Sequence, residues 1–164
     1  GSLRGCGIRG IFVKKMKPLV VLCGAFAVSA AVSMIFLPHF QAALAARIAM
    51  SVMLVFTASG HFALTRGMME MLPGFVPFRR QVVYGTGILE AAAAVGLLLP
   101  AWRGVTGWLL IALFVMMLPA NVYAAARHLD YQKATFDGPG LRYLWFRIPL
   151  QLVFIAWTYF AAIR

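Results

Sequence analysis

The chain has 164 residues, of which 63% are hydrophobic and 12% charged. That composition excludes an ordinary soluble domain, which needs more polar surface to cover its core, whereas in a bilayer lipid-facing positions are free to be apolar all round. Lys plus Arg number 15 against 4 Asp plus Glu, a net charge of +11. These cations fall mainly between apolar runs, where they set orientation and meet anionic headgroups, and no nucleic-acid-binding motif accompanies them.

Five uncharged or nearly uncharged stretches are long enough to cross about 30 Å of hydrocarbon. The first is Leu19 to Leu37, preceded by Lys14, Lys15 and Lys17 and closed by Pro38 and His39. It follows a basic segment, residues 1–18, and resembles both a signal peptide and an anchor helix. Its length exceeds the usual apolar region of a signal, which favours a retained anchor. The others run from about Ile48 to Leu64, Gln81 to Leu99, Gly104 to Ala126, and Leu144 to Ile163. Residues 47–164 therefore read as a four-helix domain with one extra helix before it, an all-α membrane protein.

The positive-inside rule gives this arrangement a direction. With the N-terminus cytoplasmic, that side holds Arg4, Arg9, Lys14, Lys15, Lys17, Arg66, Arg79, Arg80, Arg127, Lys133, Arg142 and Arg147. The far side keeps Arg47, Arg103 and Arg164, so the count is 12 against 3 and the C-terminus is expected outside.

The connections differ in character. Pro100 to Arg103 reads as a tight turn with an interfacial Trp102. Gly67 to Phe78 is apolar, interrupted by proline and too short to span, so it reads as an interfacial or re-entrant segment. Asp130 to Arg142 reads as an ordinary polar loop. The third stretch is rich in small residues. Its pairs Gly87/Ala91 and Ala92/Gly96 permit close helix approach, which predicts that it lies at the centre of the bundle.

Polar residues inside the stretches carry the functional signal, because a charge at mid-bilayer costs about 2.5–3.5 kcal/mol and normally faces protein or water. They are His61 in the second stretch, Glu90 in the third, Asn121 in the fourth and Arg147 with Gln151 in the fifth. Counting about 1.5 Å per residue puts four of them in the cytoplasmic half and Glu90 near the midplane. They predict one internal polar pocket for a ligand, with Pro119 and Pro149 freeing backbone carbonyls at the same level.

Each has a plainer reading beside this one. Glu90 also fits a buried structural acid, Arg147 a side chain snorkelling to headgroups, and His61, Asn121 and Gln151 interhelical hydrogen bonds. Met68, Met69 and Met71 read as lipid or packing contacts, and most of the Trp residues as interface markers. No metal is expected, since no second His stands at ligand spacing. The two cysteines, Cys6 and Cys23, are unpaired by spacing and read as plain small residues.

Ala58-Ser59-Gly60-His61-Phe62 followed by Leu72-Pro73-Gly74-Phe75-Val76-Pro77 resembles the opening of the DoxX-like membrane proteins. Gly87-Ile88-Leu89-Glu90, Pro119-Ala120-Asn121-Val122-Tyr123 and Arg147-Ile148-Pro149-Leu150-Gln151 are similar to the patterns of their later helices. The resemblance runs over about residues 47–163, and the extra first helix departs from the common four-span form. It implies an antiparallel four-helix transmembrane bundle in a bacterial inner membrane. It further implies an accessory subunit of a membrane redox system, with a redox protein partner and a quinone-like or small ligand. Two other readings stay open: a quinone-linked oxidoreductase subunit of the thiosulfate:quinone type, and a small-solute or proton permease working as a homo-oligomer. There is no sign of haem, flavin or nucleotide binding, and quinone is the cofactor the resemblance allows. Neither cysteine lies in the matching region, which argues against thiol chemistry carried by the chain itself.

Overall fold

The computed structural model describes residues 16–36 and 41–164. Arg4, Arg9, Lys14, Lys15, Cys6 and the Leu37-Pro38-His39 boundary lie outside the described residues. Six α-helices follow in order: α1 Lys17–Phe36, α2 Ala42–Ala63, α3 Thr65–Glu70, α4 Arg79–Gly96, α5 Arg103–Ala126 and α6 Leu144–Thr158. A 3-10 turn, Gly140–Tyr143, leads into α6, and a π-helical turn, Tyr159–Ile163, ends it. There are no strands among the described residues, only one isolated bridge between Asp130 and Thr135.

Four helical stretches are long and apolar enough to cross a membrane: Lys17–Ile35, Ala42–Ala63, Arg103–Ala126 and Gly140–Ile163. Their outer faces are apolar too, with Val28, Ile35, Val55, Leu109, Met116, Leu152 and Phe160 exposed. Outward apolar surface on this scale suits lipid and not water. The chain is a multi-pass membrane protein.

Of the five spans expected, α4 is the one not among these four stretches. It has 18 residues, closes at Gly96 before the apolar Leu97-Leu98-Leu99, and begins on Arg79, Arg80 and Gln81. Those charges and Glu90 leave it more polar than the other four long helices. It still lies along α2 in the opposite direction. Thr57 acts on Glu90, Gly87 sits against His61 and Ala58, and Phe62 stacks on Tyr84 with centroids 5.5 Å apart.

The same logic orients the rest. Phe114 packs on Phe154, and Gly107 meets Ala162 and Ile163, so α5 and α6 are antiparallel. The Trp157 indole N–H donates to the Ala46 carbonyl at 3.0 Å, while its ring meets Phe26 edge-on at 5.2 Å. This residue ties α6 to α2 and α1 and does not mark an interface. Trp102, Trp108 and Trp145 are exposed, as interface residues are.

The long helices thus alternate in direction and define two ends. Arg47, Arg103 and Arg164 belong to one, here the closed end. Lys17, Arg66, Arg79, Arg80, Arg127, Lys133, Arg142 and Arg147 belong to the other, the open end.

The centre of the bundle is α2, which packs against α1, α4 and α6. The expectation that the small-residue helix would be central is corrected, because Ala91 and Ala92 of α4 face outward. Its glycines do bring neighbours close: a Cβ on Gly96 would stand 2.5 Å from the Thr106 hydroxyl. The apolar core lies toward the closed end and the middle. It joins Leu22, Ala49, Met50, Met53, Leu54, Ala94, Leu97, Leu110, Phe114, Leu150, Phe154 and Ala162.

Candidate functional site

The crossing of α2 and α4 depends on one glycine. A Cβ at Gly87 would stand 2.8 Å from the His61 Cβ and 3.4 Å from the Ala58 carbonyl, so any side chain there forces the helices apart. The close approach carries His61 and Glu90 inward, where they are 5% and 2% exposed. The His61 Nδ1 stands 3.0 Å from the Thr57 carbonyl and 3.6 Å from the Glu90 Oε2. A carbonyl only accepts, so the Nδ1–H donates to Thr57, and the contact with Glu90 is too long to be a hydrogen bond. The Arg147 guanidinium also lies near enough to act on the Glu90 carboxyl.

On the other side, Pro119 removes the backbone N–H that would have bonded the Val115 carbonyl one turn earlier. Both carboxamides work near this break. Asn121 Nδ2 donates to the Met117 carbonyl at 2.9 Å, and Gln151 Nε2 donates across to the Phe114 carbonyl. Arg147 lies one turn before Gln151 on the same face of α6. It reaches the Tyr143 hydroxyl as well.

These side chains border one cavity of about 570 Å³ between α2, α4, α5 and α6. His61, Glu90, Asn121, Arg147 and Gln151, the five residues singled out from the sequence, all line it. The volume is of the order of ligand pockets, about 300–1,000 Å³. Three polar atoms of these lining residues are buried and have no hydrogen-bond partner among the described residues: Glu90 Oε2, Asn121 Oδ1 and Arg147 Nε. Buried polar groups are nearly always paired, so three open ones in one cavity call for a partner from outside the chain.

Residues 50–162 match the family model described as a domain of unknown function (DUF8561). The chain belongs to that family. No curated protein and no solved structure matches it. The matched segment holds all five polar residues and leaves out α1, whose Lys17 and Pro18 nevertheless reach the cavity mouth.

Much of the cavity in this DUF8561 protein was not legible beforehand. Most of its wall is apolar, and methionine recurs in it: Met53, Met68, Met71, Met116 and Met117. Met68 and Met71 had read as lipid or packing contacts; unbranched and polarizable, they suit a wall that must fit an irregular ligand. The segment expected to be interfacial or re-entrant holds a short helix, α3, followed by turns, with Phe75 and Phe78 largely exposed at the open end.

The polar loop expected after α5 is an ordered cover. Its backbone closes on itself through Asp130 N–H to the Thr135 carbonyl at 2.7 Å and Gly138 N–H to the His128 carbonyl at 2.6 Å. The Asp130 carboxylate accepts from Gln132 N–H at 3.1 Å. Gly67 of α3 sits so tightly beneath that a Cβ would overlap the Tyr131 carbonyl oxygen at 1.7 Å. Tyr131 and Gln132 thereby come to line the cavity. No local pattern in the sequence announces them, because the contact joins segments some sixty residues apart. At the exposed edge of the cover the Thr135 hydroxyl donates to Asp137 and holds that carboxyl below its ordinary value.

Among the described residues no three His, Cys, Asp or Glu side chains gather as a metal site would require. Cys23 is exposed and free on α1, away from the polar cluster.

Proposed function

We propose that this protein holds a quinone-like or other small amphipathic molecule in the cavity, acting as an accessory subunit of DoxX-like type in a membrane redox system. The observation that carries the reading is the set of three polar atoms without a hydrogen bond, from three helices whose side chains line one mostly apolar cavity. A polar floor under apolar walls matches a molecule with a polar head and an apolar body. Glu90, Asn121, Arg147 and Gln151 all fall within the segments that resemble the DoxX-like pattern, which supports the same reading.

The test is to purify the chain in mild detergent and extract what remains bound. A small amphipathic molecule is expected from the native protein and not from a Glu90→Leu/Arg147→Leu variant of equal yield. Equal recovery from both would remove the cavity as the site. Reduction of a quinone analogue by the chain alone with a suitable donor would move the reading to an oxidoreductase. Solute movement in proteoliposomes holding only this chain would move it to a permease.

The open end gathers eight of the eleven Lys and Arg in the described residues, and the positive-inside rule places that end in the cytoplasm. A membrane-impermeant thiol reagent added to intact cells should therefore miss a cysteine at Lys133 and label one at Trp102. Labelling in the reverse pattern overturns the orientation.

A further inference from the structure

Resting on the reading of this cavity as a ligand site, we infer that it selects a head group that donates a hydrogen bond, a hydroxyl above all, over one that only accepts. The argument starts from which end of each polar group is already committed. Asn121 is held with its nitrogen toward the Met117 carbonyl, at 2.9 Å. The carbonyl has no hydrogen to give, so the amide is fixed in this sense and its Oδ1 is the atom left over. That oxygen is buried without a partner, on a residue 2% exposed. It accepts and never donates.

The neighbouring groups do not relieve it. The His61 Nδ1–H is spent on the Thr57 carbonyl, and one N–H of the Gln151 amide on the Phe114 carbonyl. The remaining open donor of the trio is Arg147 Nε, and Glu90 Oε2 is the remaining open oxygen. A ligand that satisfies the site therefore offers a hydrogen to Asn121 and a lone pair to Arg147. A hydroxyl carries both a proton and lone pairs, and an aromatic diol brings a second hydroxyl that Glu90 can accept from. A ketone or quinone oxygen serves Arg147 alone and leaves the Asn121 oxygen buried and unpaired. Sites built around a hydroxyl reject analogues lacking it strongly, for this reason.

The experiment uses the whole chain in detergent and three probes of one skeleton under argon: a short-tailed hydroquinone, the matching quinone and the matching dimethyl ether. Equilibrium titration should find the hydroquinone bound at least about tenfold tighter than either of the others. Asn121→Leu should bring the hydroquinone down to the affinity of the ether and leave the ether unchanged. Equal affinities, or a quinone that binds tightest, overturn the inference and leave the cavity's role as a ligand site standing. Failure of all three probes to bind overturns that role as well. The probe comparison on the native chain decides the matter even if the variant does not fold.

Discussion

The same long helices pack in two different ways at their two ends. At the closed end small residues let them touch: Gly96 lies against Thr106, and Gly107 lies so near α6 that an added Cβ would stand 3.0 Å from the Ala162 Cβ. At the open end α4 and α5 part around a cavity of about 570 Å³, bordered by groups that would be costly to bury alone. Between lipid-soluble helices association rests on close packing and interhelical hydrogen bonds, not on escape from water. The closed end is packed through Gly96 and Gly107, whereas the open end, although Gly87 still joins α2 to α4 there, leaves three polar atoms unsatisfied. This difference is what a binding site built on a rigid support requires.

The contrast is most severely challenged by Gly107→Leu. A leucine has no room against Ala162 and Ile163, and overpacking of this kind should cost about 3 kcal/mol, read from reversible unfolding in detergent. A cost below about 1 kcal/mol would show that the closed end does not carry the fold. The counterpart at the open end is Glu90→Leu, an apolar residue of similar size in place of a buried acid with one oxygen left without a hydrogen bond. Stability should change by no more than about 1 kcal/mol in either direction, while binding in the cavity is lost. A large destabilisation with binding intact would instead make Glu90 a structural acid.

The smallest effect concerns the cover. Thr135→Ala removes the hydroxyl that donates to Asp137, so the carboxyl should titrate higher, toward its ordinary 3.8. The sign follows from the lowered value in the folded chain. The stabilisation is complete above the ordinary value and fades as pH falls through the lower one. An NMR titration of Asp137 that does not move in the variant would show that the contact does not form in solution.

Membrane residence and the alternation of basic and apolar segments were legible from the chain alone, because hydropathy acts residue by residue and needs no partner. The five polar residues were legible for the same reason. Each is an expensive exception in an apolar stretch, and each came to line the same cavity. Yet α4 was read as one span among five and as the centre of the bundle, when it is more polar than the others and peripheral. Glycine and alanine permit close approach on any face, and only the neighbours decide which face is used. Gly87 meets His61, whereas Ala91 and Ala92 meet nothing of the kind.

Composition and pattern by themselves therefore determined a multi-pass membrane protein with polar exceptions at a common depth. The single pocket these exceptions predict is a cavity in the folded chain, and tertiary structure alone decided that methionines wall it and that Tyr131 is pinned over it by Gly67. It also decided which end of the Asn121 amide stays open. The physical reason is that burial cost belongs to a residue, while a hydrogen bond or a packing contact belongs to a pair. Pairs between distant segments exist only once the chain has folded.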